Sequence, residues 1–167
     1  LAGKELADHD AFAEACRFAE CIGAAVYLGS VPYNARFPSD HPLNMGDIGR
    51  NQVRVRAVLS EHDLLVCLGG DLLRMSPWSA TEPLLETLPV LHISERDWEL
   101  GKNYPTAIAI CANVKETLRA LLPALEAARP PAYAGEAAAR CAAIAPRNWL
   151  ARRAQQLAAL EVKKDEM

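Results

Sequence analysis

The side chains best suited to chemistry are few and scattered. Histidines stand at 9, 41, 62 and 92. Three adjoin acids, in Asp8-His9-Asp10, Asp40-His41 and His62-Asp63, and read as solvated turn positions. His92 lies inside an apolar run and reads as a hydrogen-bonded core histidine. A metal would need ligands converging from separate segments, and no such grouping is visible in the spacing. Cysteines at 16, 21, 67, 111 and 141 form no CxxC and match no zinc pattern. Cys67 and Cys111 sit in apolar runs, where cysteine behaves as a small hydrophobe. Five unpatterned cysteines point to a reducing compartment, the cytoplasm. There is no G-x-S-x-G elbow and no P-loop. Glu82, Glu86, Glu95 and Glu99 are dispersed and read as solvated surface. Nothing here nominates a catalytic residue. Gly69-Gly70, at the end of an apolar run, is the one phosphate-like signal. The chain continues Asp71-Leu72-Leu73-Arg74 without the third glycine of a dinucleotide fingerprint, so a tight turn explains the pair equally well.

The elements that must position these residues follow from periodicity. Apolar residues at 11, 15, 18 and 22 and at 12, 16 and 19 predict a helix over 10–22, with Asp8 or Asp10 as cap and Gly23 as stop. Residues 24–28 (AAVYL) predict a buried strand closed by Gly29-Ser30, and the first residues suggest a strand end before the first helix. From 31 to 49 no period survives among three prolines and several Asn, Asp and Gly, which predicts a long loop. A helix over 50–61 precedes the clearest strand, 63–70 (DLLVCLGG), apolar without alternation as in parallel sheets. A loop with Pro77, Trp78 and Pro83 leads to strands at 88–94 and 106–111. Asn113 caps the last strong helix, and Glu116 can close a capping box. Pro123 should kink or break that helix. Pro130-Pro131-Ala132 predicts a stiff extended spacer, then a run of small residues, then a helix over 148–162 without an obvious partner. The alternation predicts an α/β fold: a Rossmann-like, doubly wound, mainly parallel sheet with helices on both faces. Such sheets bind ligands at the carboxyl ends of their strands.

Bulk properties exclude several classes. The chain has 167 residues, 51% of them hydrophobic and 23% charged, which is globular rather than disordered. A net charge of −3 draws it neither to nucleic acid nor to anionic membrane. No apolar run approaches the roughly 20 residues of a membrane span. The chain opens on Leu1 without a signal-peptide pattern and reads as a piece of something longer. Residues 1–128 read as one domain, and 129–167 as a linker and C-terminal helix leading to an absent domain. Trp78 and Trp149 are candidate interface anchors.

Three segments carry a resemblance. FPSDHPLNMGDIG (37–49) resembles the FPxxHPxxxGxxG loop in the central domain of thiamine diphosphate-dependent 2-oxo acid enzymes. EHDLLVCLGG (61–70) resembles that domain's xADLVLxxGA strand. The stretch 91–122 resembles its xHIDxDxxEIGKNxPxxxxIxGDxxxxLxxLL pattern. Order and spacing agree over roughly 1–128. The family includes acetolactate synthase, pyruvate oxidase and benzoylformate decarboxylase.

The resemblance implies a domain that positions others. In the family the first domain supplies the glutamate that activates thiamine, and the third a GDG…N segment for Mg²⁺ and the diphosphate. No such segment occurs here, so the resemblance implies thiamine diphosphate and Mg²⁺ sites outside this chain, and a fragment inactive by itself. The parent's reaction would be attack of the thiamine ylid on a 2-oxo carbonyl, loss of CO₂, then protonation or transfer. Its partners would be the other domains of the same chain, in a homo-oligomer. Some members bind FAD or ADP in this domain through a GARFDDR-like loop and an IDxD strand end. Here Leu73, Ser94 and Arg96 replace the ribose-binding acids, which argues against FAD. The alternative reading is a nucleotide-binding module for FAD, ADP or NAD(P), using Gly69, Gly70, Ser94, Arg96 and Asn113, with Arg96 meeting a phosphate.

Overall fold

Short apolar runs bounded by glycine and proline fold as strands, and the amphipathic stretches between them fold as helices. In this computed structural model, which describes residues 1–29, 34–76 and 78–165, the order is α1 (Glu5–Asp8), α2 (Phe12–Ile22), β1 (Val26–Leu28), β2 (Asn44–Asp47), α3 (Gln52–Leu59), β3 (Leu65–Leu68), β4 (Val90–Ser94), β5 (Ile108–Cys111), α4 (Val114–Ala128), α5 (Tyr133–Ile144) and α6 (Trp149–Asp165). Ser30 to Tyr33 and Pro77, parts of the two expected loops, lie outside the described residues.

All strand pairs are parallel. β1 pairs with β2, and β3 with β4 and β4 with β5. The first residues complete the sheet. Ala2 bridges Leu28 on one side and Leu68 on the other, with Ala2 N–H donating to Tyr27 O and Gly3 N–H to Leu68 O, each at 2.8 Å. The strand order is therefore β2, β1, residues 1–3, β3, β4, β5. In chain order this is 3-2-1-4-5-6, the doubly wound arrangement with a switch point beside its first strand. Side chains alternate between two cores. Leu68 and Ile93 pack with Phe18, Val114 and Leu118 under α2 and α4. Leu65, Cys67 and Val90 pack with Val55 and Leu59 under α3.

Several local expectations are revised. The stretch expected to be loop contains β2; its NMGD sequence has little strand propensity, and pairing with β1 supplies what propensity lacks. The loop before it is built inward: Phe37 is buried, and Asn44 Nδ2 donates to Pro38 O at 2.9 Å while its Oδ1 accepts from Gly46 N–H at 2.7 Å. Neither Asp8 nor Asp10 caps α2: Asp8 lies in α1 and pairs with Lys4, and Ala11 holds the cap position. Asn113 does cap α4, but Glu116 turns its carboxylate to Arg119 instead of closing the box. α4 runs through Pro123 unbroken. Leu118, Leu121, Leu122 and Leu125 on both sides of the proline pack into the core, and that burial outweighs the lost helix hydrogen bond.

Beyond Ala128 the chain does not extend away. Residues 129–132 turn, and α5 folds back onto α2. The small residues make this possible: a Cβ on Gly23 would stand 2.7 Å from Ala137 O, and Arg140 Nη2 donates to Ile22 O at 3.0 Å. α6 does find a partner. Trp149 lies over Gly46, and Arg152 donates to Met45 O. Trp149 touches Gly46 but remains 41% exposed, and Trp78 is 85% exposed.

Candidate functional site

At the switch point the residue 1–3 strand and β3 lead their chains away in different directions, opening a crevice at their carboxyl ends. Glu5 projects into it from α1 and is 3% exposed. Its Oε1 accepts from Ser94 Oγ at 2.6 Å and from Arg96 Nε at 3.0 Å, and its Oε2 accepts from Glu95 N–H at 3.0 Å. Arg96 Nη1 donates to Asp71 Oδ1 at 2.8 Å, and Arg74 Nε faces Asp71 Oδ2 at 3.2 Å. Burial works against the Arg96 charge. Hydrogen bonds to Glu5 and Asp71 more than offset that and hold its pKa above the ordinary arginine value.

The glycines serve the same closure. Gly69 has φ +61°, and a Cβ there would overlap Cβ of Glu5. A Cβ on Gly3 would overlap Cα of Gly70. The pair Gly69-Gly70 lets the end of β3 meet the first strand and Glu5, as a tight turn does. Behind it, His92 Nε2 donates to Gly70 O at 2.9 Å and Cys67 Sγ lies 3.6 Å from the same oxygen. His92 is fully buried, as a hydrogen-bonded core histidine, and burial lowers its pKa.

Of the five residues singled out from the sequence, Gly69, Gly70, Ser94 and Arg96 converge around Glu5. Asn113 stands one step out. Its Nδ2 donates to Glu95 Oε1 at 2.8 Å, while Glu95 Oε2 meets His9 Nε2 at 2.7 Å. Sequence reasoning missed Glu5 and Arg36, and met Asp71 only as the residue that follows Gly69-Gly70 at a strand end. For Glu5 a signal existed: a strand ending at residue 3 places the next helical turn at the carboxyl edge of the sheet.

The crevice retains a cavity of about 220 Å³, bordered by Gly3, Arg36, Asp71, Arg74, Arg96 and Glu99. Pockets for drug-sized ligands run to roughly 300–1,000 Å³. Glu5 takes up the donors at the end of β4, and the cavity left beside it lies below that range. A larger hollow of about 1210 Å³ lies at the amino ends of the strands, with Phe18, Tyr27, Leu64, Pro89 and Leu91 among its mainly apolar lining. Among the described residues no group of three or more His, Cys, Asp or Glu could hold a metal ion. The residues present therefore do not fit a metal-bridged diphosphate such as thiamine diphosphate requires.

A family model described as "Thiamine pyrophosphate enzyme, central domain" matches residues 1–121. The chain belongs to this family. It is 34% identical over 93 residues to the acetolactate synthase isozyme 1 large subunit of Escherichia coli K12, a match covering 54% of this chain and 16% of that protein. It is 28% identical over 163 residues to sulfoacetaldehyde acetyltransferase of Rhodobacter capsulatus, covering 94% of this chain and 26% of that protein. The crystal structure of benzoylformate decarboxylase from Polynucleobacter necessarius superposes with a TM-score of 0.66 at 25% identity, over 72% of this chain and 23% of that one. The chain thus spans about a quarter or less of these relatives. It is a central domain of the thiamine pyrophosphate enzyme family, with the parallel sheet flanked by helices that the sequence predicts. Among the described residues no helix is long and apolar enough to cross a membrane.

Proposed function

We propose that this domain positions the catalytic domains of a thiamine diphosphate-dependent decarboxylase or synthase acting on 2-oxo acids and performs no chemistry itself. The observation that carries this reading is the self-filled switch point: Glu5 occupies with its own carboxylate the donors that a nucleotide would use. In this reading thiamine diphosphate and Mg²⁺ bind in other domains of the full-length enzyme, a cytoplasmic homo-oligomer without nucleic-acid or membrane partners. Residues 1–128 form the domain proper. The stretch 129–167 leads toward a neighbouring domain, with α5 as the part that stays docked. Gly69, Gly70, Ser94, Arg96 and Asn113 then build the crevice wall and hold no dinucleotide.

Calorimetric titration of the 167-residue chain with FAD, ADP and NADP tests this. No heat of binding is expected at micromolar ligand, and no loss of 2-oxo acid is expected when thiamine diphosphate and Mg²⁺ are added. Micromolar affinity for a dinucleotide would favour the nucleotide-binding module. Turnover by the chain alone would end the scaffold reading.

A further inference from the structure

Among the described residues, Arg36 is a buried side-chain charge with no ion pair. It precedes the Phe37 anchor, is 6% exposed, and borders the cavity at the switch point. Its Nη1 lies 3.3 Å from the position a Cβ on Gly29 would take, at the carboxyl end of β1. Its Nε is buried without a hydrogen-bond partner, as is Nη2 of Arg96, a residue that borders the same cavity. Among the described residues, the other charged side chains there are paired. Lys4 pairs with Asp8, and Lys102 with Glu99. Asp71 and Glu5 together take Arg74 and Arg96. Asp47 acts on Arg36 only through space, and its Oδ1 already accepts from Gly49 N–H at 2.6 Å. A guanidinium held nine-tenths out of water without a hydrogen-bonded carboxylate is costly, and its planar fork suits an oxyanion.

We propose that this cavity binds a small free oxyanion of the phosphate class, held by the guanidinium groups of Arg36 and Arg96, with Arg74 at the mouth. The volume of about 220 Å³ admits such an ion and excludes a nucleotide. The inference goes beyond the scaffold reading and does not depend on it: an anion here performs no chemistry on a 2-oxo acid.

The test uses the 167-residue chain and inorganic phosphate, with chloride at matched ionic strength as control. Phosphate at ten times its dissociation constant should raise the melting temperature saturably, by roughly 3–5 °C. ³¹P line broadening should give the same constant. R36Q should weaken phosphate binding at least tenfold, and R36K should recover part of it. Arg74 is exposed, so R74Q keeps the fold and should weaken binding two- to fivefold, which decides the matter if R36Q does not fold. Equal stabilisation by chloride, unchanged affinity in R36Q or R74Q, or tighter binding of ADP than of phosphate would each overturn the proposal.

Discussion

Glu5, Arg96 and Asp71 form the chain's most consequential polar group, because a carboxylate 4% exposed at its side chain needs its partners. Removing Arg96 leaves that charge buried and unpaired. R96Q should lower unfolding free energy by about 2–4 kcal/mol, read by urea denaturation; the figure is below that of a fully buried pair because Arg96 is one-fifth exposed. E5A/R96A should cost less than the two single changes added together. The histidines set a pH dependence. Burial lowers the His92 pKa below 6.5, against the weaker opposing pull of its bond to Gly70 O, and burial lowers His62 likewise. The unfolded chain then takes up protons first as pH falls. Stability present above about pH 6.5 is lost on the acid side, by at most about 1.4 kcal/mol per pH unit for each histidine. Melting temperatures from pH 7.5 to 5 should fall, and H92Q should flatten the slope. Thiol reactivity should separate in the same manner. Burial pushes Cys67 and Cys16 up to about 11, with Glu20 and Asp40 adding to the shift of Cys16, while Cys111 is exposed. Alkylation at pH 8 followed by mass mapping should label Cys111 first and spare Cys67 until the chain unfolds.

Among the elements, the helices with strong stripes were legible and the irregular ones were not. α2 and α4 carry large apolar residues at spacings of three and four, so local pattern and tertiary burial agree. β2 was hidden because Asn, Gly and Asp say loop locally, and only its pairing with β1 makes it a strand. α5 was hidden because alanines give no periodic contrast; their value is closeness to α2, which no single-chain pattern displays. The docking of α6 depends on one contact of this kind. Gly46 has φ +77°, and a Cβ there would stand 3.2 Å from Cε3 of Trp149. G46A should cost about 1–2 kcal/mol and expose α6 to protease earlier than in the parent sequence, checked by limited proteolysis with mass mapping. N113A should lose about 1 kcal/mol by unmaking the α4 cap.

For the whole molecule, the six-strand order places one crevice at the point where the winding reverses, and the chain's own side chains fill most of it. The fold class, the parallel sense of the strands and the family were written in the chain itself, since unbroken apolar strands, amphipathic helices and three motif segments in register are local properties read one residue after another. The same reading placed Gly69, Gly70, Ser94 and Arg96 at strand ends, because strand ends follow from strand runs. It could not say what they face. Glu5 lies 89 residues from Ser94 and 91 from Arg96 along the chain, and their meeting depends on the first strand lying next to β3. The surroundings of Arg36 are likewise supplied by separate segments that only packing brings within reach. Local periodicity decides what an element is; which carboxylate answers which guanidinium is decided by three-dimensional neighbourhood, where burial removes water as the alternative partner.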